Sequence, residues 1–126
     1  MKLGTLFTIN AVIGIGFGFG FVFIPVTFFS YYGVELTEVG LVIGQSLGAA
    51  FFGTGILSWL VRNSDKSEVL RAIVLSAFIV NTIGFIVTLK GQLAGIANTL
   101  GWSVVAIYAF LAIGYGYFHF QKKDSD

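Results

Sequence analysis

The chain has 126 residues, 56% of them hydrophobic and 10% charged, with a mean hydropathy of +0.92 and a net charge of +1. A water-soluble domain of this size cannot hide so much apolar surface, so most of it must face lipid. The 7 basic residues are scattered and form no stripe for nucleic acid, and the lack of cysteine removes disulfides, thiolate metal sites and thiol–disulfide exchange.

Charged residues punctuate the chain and leave four apolar gaps, between Lys2 and Glu35, Glu38 and Arg62, Arg71 and Lys90, and Lys90 and Lys122. Each holds about 18 to 32 residues, enough to cross a hydrocarbon core of roughly 30 Å at about 1.5 Å per residue. The pattern predicts an all-α integral membrane protein, a single four-transmembrane-helix bundle over residues 1–126. Spans are expected at 6–29, 39–60, 69–89 and 96–118. A cleavable signal would end after an apolar core of about 7 to 15 residues, whereas the first run continues past Pro25 without a convincing cleavage site, so it reads as an uncleaved span.

The first span carries Asn10 in its inner third and then alternates Gly14, Gly16, Gly18 and Gly20 with Ile15, Phe17, Phe19 and Phe21. Period two suggests a strand, but an isolated strand in lipid leaves its backbone unsatisfied and four spans are too few for a closed barrel. On a helix, Gly14 and Gly18 share one ridge and Gly16 and Gly20 the nearly opposite one, giving two smooth faces of small-xxx-small spacing. Pro25 removes a backbone hydrogen bond and predicts a kink, with residues 26–33 bending along the membrane surface. A cavity or a docking surface could form there; a plain helix end is the alternative.

Thr37 or Leu36 is expected to open the second helix, with Glu38 in its first turn, where the dipole favours an anion. Gly40, Gly44 and Gly48 form a ridge expected to cross the first span through its glycines. Ala49, Ala50, Gly53 and Gly55 extend the run of small residues. Ser67 and Glu68 open the third span in the same way as Thr37 and Glu38. The intramembrane polar residues, possible ligand or interhelical contacts, are Asn10, Gln45, Ser46 and Asn81, with Ser76 and Thr82 beside them. Depth places Gln45 and Asn81 at one level, so an amide pair between spans two and three is expected.

Lys2, Arg62, Lys66, Arg71, Lys122 and Lys123 fall on one side of the predicted bundle and Lys90 alone on the other, which predicts cytoplasmic N and C termini. The bias also opposes dual-topology insertion. Tyr31, Tyr32 and Trp102 mark the outer interface, and Trp59, Tyr115 and Tyr117 the inner one.

No span contains an Asp, Glu or His except at its edge, which disfavours proton-coupled transport. The only histidine, His119, sits at the margin, unsuited to haem ligation through the membrane. Ser46 and Ser76 have no base at hand, so no catalytic residue is expected. No cofactor or metal site is implied.

A Gly-rich first span leading to Pro25, then Tyr32-Gly33, a Gly-rich second span ending in Trp59 and Arg62, and a fourth span beginning near Asn98, Gly101 and Trp102 resemble small bacterial four-helix membrane proteins of the DoxX-like kind. The resemblance covers most of the chain. It implies a four-helix bundle in the cytoplasmic (inner) membrane of a bacterium and, in some relatives, association with redox or respiratory complexes; it carries over no functional residue. Small multidrug transporters have a glutamate in the first span, where this chain has only Asn10, and the arginine-containing glycine motif of fluoride channels is absent.

Glycine faces without titratable groups favour a non-catalytic accessory or assembly subunit, whose partners are membrane lipids and either other membrane subunits or further copies of itself. The alternatives are a channel or carrier for a small solute using Gln45 and Asn81, or a bundle that binds a lipid, quinone or pigment between Phe-rich faces.

Overall fold

Pro25 divides the first apolar run. Proline has no N–H to donate and its ring crowds the preceding turn, so Ile24 leaves the helical region at φ −134°, ψ 51° and Pro25 becomes the first residue of a new helix. In the computed structural model, which describes residues 1–121, the elements are α1 (Leu3–Phe23), α2 (Pro25–Ser30), α3 (Glu38–Val61), α4 (Glu68–Leu93) and α5 (Gly101–Phe120). Among the described residues, α1, α3, α4 and α5 are long and apolar enough to cross a membrane. Lys122 and Lys123 of the charge argument lie outside the described residues.

The predicted first span, 6–29, is therefore two helices, and α2 turns back against α1 and α3. The fourth span starts later than expected, at Gly101, because Gly95 takes a left-handed turn (φ 77°) and residues 94–100 form the connection; α4 runs on to Leu93. Thr37 Oγ1 accepts from the Gly40 N–H at 3.0 Å and Ser67 Oγ from the Leu70 N–H at 3.1 Å, so each caps its helix, with Glu38 and Glu68 in the first turns.

The helices pack as two pairs, α1 with α3 and α4 with α5. Along the first seam glycines remove the side chains that would hold the backbones apart. A Cβ at Gly14 would come within 2.9 Å of the Phe51 carbonyl oxygen, at Gly18 within 2.8 Å of the Gly48 oxygen, and at Gly55 within 2.8 Å of the Ile15 nitrogen. Backbones this close maximise dispersion where lipid supplies no hydrophobic drive.

The expected ridge of Gly40, Gly44 and Gly48 needs correction. Only Gly48 meets α1; Gly44 receives the Phe29 ring from α2, and Gly40 faces Thr37 and Leu36 at its own helix start. Gly55, one face further along α3, takes the role assigned to Gly44, because α2 occupies the space beside the distal half of α3. The second smooth face of α1 is split as well: Phe28 covers Gly20, while Gly16 has nothing within 4 Å.

The second seam packs ring on glycine, with Tyr108 against Gly84 and Phe78 against Gly116. The two pairs join at one end through Leu6, Phe7, Leu70, Val74, Leu111 and Tyr115, all buried, with the Phe7 and Tyr115 rings 5.5 Å apart. This basal end holds the N-terminus, the α3–α4 turn and the end of α5. Large apolar side chains elsewhere point outward, Leu60, Val69 and Ile113 each at least 70% exposed, as suits helices bathed in acyl chains.

Candidate ligand cavity

Two glycine-seamed pairs joined only at their ends leave a space between them. It measures about 350 Å³ and is lined from both pairs and from the distal loops. Its floor is the basal core. One wall is aromatic: the Pro25 break folds α2 back so that Phe29 stacks on Phe21 at 4.5 Å, while Phe51 lies 5.5 Å from Phe21 and 6.4 Å from Phe17. Leu47, Thr54 and Val80 line the cavity and are themselves exposed, so it opens sideways at mid-span.

Asn98 closes the distal end. Its N–H donates to the Tyr32 carbonyl at 2.9 Å and its Nδ2 to the Tyr31 carbonyl at 3.0 Å, tying the α4–α5 connection to the segment after α2. Its Oδ1 accepts from the Leu100 N–H at 3.0 Å, and its carbonyl from Gln92 Nε2 and the Gly101 N–H, both at 2.9 Å. Gly33, with φ 74°, turns the chain beside it; a Cβ there would lie 3.3 Å from the Asn98 side chain. The sequence reading used Asn98 only in the resemblance. Its role depends on a contact between residues 67 positions apart, which no local pattern reveals.

Asn10, Asn81 and Tyr108 are among the polar side chains that line the cavity, with Thr54 and Thr88 beside them. Asn81 is 6% exposed, and its Nδ2 donates to the Ala77 carbonyl one turn back at 2.7 Å. Its Oδ1 accepts no hydrogen bond from the described residues. Asn10, 7% exposed, donates to Ser58 Oγ at 3.0 Å across the α1–α3 seam. Tyr108 carries no signal in the sequence: it lies mid-span among apolar residues, and only Gly84 beneath its ring, on the neighbouring helix, reveals its part. Ser58 was missed because it lies next to Trp59, in what reads as the interface.

The expected Gln45–Asn81 pair does not form. Gln45 Nε2 donates to the Val22 carbonyl at 3.1 Å. The break at Pro25 strips the last carbonyls of α1 of their usual partners, and an orphan carbonyl in an apolar setting is a stronger claim on an amide than a distant side chain of equal depth. Tyr115 is also corrected: it is fully buried in the basal core, with its hydroxyl unpartnered, and is no interfacial marker. Ser46 is exposed on α3, away from the cavity. Trp59 stays at the surface, where the Arg62 guanidinium lies 3.6 Å above its ring.

A second cleft, about 540 Å³, lies at the basal end, where Lys2 and Arg71 alternate with Glu68 and His119. Among the described residues no group of three or more His, Asp or Glu side chains is placed to hold a metal. The fold and cavity define an all-helical protein with four helices able to cross a membrane and a side-opening cleft between two helix pairs. No family model, no curated protein and no solved structure matches the chain.

Proposed function

We propose that this is a non-catalytic, multi-pass protein of a bacterial inner membrane, with both termini cytoplasmic, that binds a lipophilic small molecule between its two helix pairs. The observation that carries the reading is the cavity of about 350 Å³, apolar over most of its wall and open sideways at mid-span. That volume falls within the roughly 300 to 1,000 Å³ of small-molecule sites, and an aromatic wall with a few convergent polar groups is their usual make-up. The charge bias supports the orientation. The DoxX-like resemblance contributes no residue to this reading.

Gentle extraction followed by mass spectrometry of the intact protein tests it. Wild type should retain a small lipophile in about one copy per chain. Val104→Trp, which fills the cavity from α5, should keep its helical content and lose the bound molecule. Equal retention by the filled variant sinks the proposal.

A second reading, an accessory subunit or homo-oligomer, is favoured by one face of α3. Ser46, Ala49, Ala50 and Gly53 are exposed there together, and a Cβ at Gly53 would meet nothing within 4 Å. A smooth strip of this kind admits another helix closely. Gly53→Leu should dissociate such an assembly in mild detergent while leaving the monomer folded; a monomer at every wild-type concentration rejects the reading.

A further inference from the structure

Resting on the cavity-binding reading, we infer that the molecule bound there carries a hydroxyl group, an alcohol or phenol, which donates its hydrogen bond to Asn81 Oδ1. The side chain is nine-tenths buried and lines the cavity. Its orientation is forced: a backbone carbonyl can only accept, so the end of the amide that meets the Ala77 oxygen at 2.7 Å must be the nitrogen. The oxygen is therefore the end left over, and no described residue donates to it.

An acceptor that faces an apolar cavity without a partner is costly, and in the middle of a bilayer no bulk water offsets the cost. The other amides of the bundle each engage their nitrogen, and Asn98 its oxygen as well. Gln45 serves the Val22 carbonyl, Asn98 uses both ends of its side chain, and Asn10 reaches Ser58. The threonines along α4 also bond inward, Thr82 to the Phe78 carbonyl and Thr88 to the Gly84 carbonyl, each at 2.8 Å. Among these α4 side chains Asn81 presents an idle amide oxygen, an acceptor with no donor function of its own, to a mostly apolar space. The chemistry that completes it is an O–H on a hydrocarbon body. An ether or ester of the same shape has nothing to donate and would leave the oxygen as it is. A hydroxyl dissolved in acyl chains is likewise short of acceptors, so both partners gain on binding.

The test compares para-octylphenol with its methyl ether, each equilibrated with wild-type protein in lipid nanodiscs, counting retention above that of protein-free nanodiscs. The phenol should be held about tenfold more tightly, the discrimination expected when the analogue leaves a buried polar group unpaired. Asn81→Leu, close in shape, should retain the ether undiminished and erase the preference. Equal retention of both compounds by wild type overturns the hydroxyl assignment while the cavity-binding reading stands. Retention of neither overturns both. The wild-type comparison decides the matter without the variant if Asn81→Leu does not fold.

Discussion

The ring of Tyr108 occupies the space that a side chain at Gly84 would fill, so closely that a Cβ there would overlap the ring carbons. The contact joins α4 to α5 and sets one wall of the cavity. Gly84→Ala should push the ring away from α4 and into the open space, lowering both thermal stability and retention of a bound lipophile. Overpacking of this sort costs about 1 to 3 kcal/mol. Tyr108→Phe should change stability by less than about 0.5 kcal/mol, because the ring does the packing and the hydroxyl has no partner among the described residues. Thermal unfolding of the two variants in detergent, with retention measured in parallel, separates the contributions.

The α1–α3 seam predicts a split among glycines that look alike in the sequence. Gly14→Ala and Gly48→Ala place a methyl group against backbone atoms and Phe21 Cβ, which cannot swing aside. Each should lower stability by about 1 to 3 kcal/mol. Gly16→Ala and Gly53→Ala meet nothing within 4 Å and should be neutral or slightly stabilising, since alanine is the better helix former by about 0.5 to 1 kcal/mol. Melting temperatures of the four variants check the order.

Asn98 joins the two pairs at the distal end with several hydrogen bonds from one residue. Asn98→Ala keeps the backbone bond to Tyr32 and removes those of the side chain to Tyr31 and Leu100. A loss of about 1 to 3 kcal/mol is expected, at about 0.5 to 1.5 kcal/mol per bond. Hydrogen exchange should rise in residues 94–100 and at Tyr31 while α1 and α3 stay protected. Uniform loss of protection would show that Asn98 supports the whole bundle instead of its distal joint.

The Asn10–Ser58 bond crosses the seam at 3.0 Å inside the bundle. A double-mutant cycle with Asn10→Leu and Ser58→Ala should give a coupling of about 0.6 kcal/mol and no more than about 1.7. A coupling near zero would mean that Ser58 finds an equal partner when Asn10 is gone, the buried Tyr115 hydroxyl beside it being a candidate.

Along the chain, the sequence was informative wherever a physical rule acts within one helix. The charge gaps placed the four long helices, Pro25 the break in the first, and Thr37 and Ser67 the starts of α3 and α4. What it lacked was azimuth. Gln45 and Asn81 share a depth, but depth says nothing of which way a side chain turns, and the carbonyl orphaned near Pro25 won the Gln45 amide. The same gap hid Gly55, Tyr108 and Asn98, whose importance lies in what the opposite helix or loop brings to them. Tyr115 was misread for a related reason: aromatic residues near a span end are ordinarily interfacial, and only the convergence of α1 and α4 upon it makes it core.

The side opening of the cavity at Leu47, Thr54 and Val80 has an energetic consequence. A guest arriving through it exchanges one hydrocarbon environment for another, so release of water, which drives most apolar binding in aqueous sites, contributes almost nothing to occupancy. On the proposed reading, choice among the many greasy molecules of a membrane would fall to contour and to a single amide oxygen, and the relevant concentration would be mole fraction in the leaflet, not molarity in water.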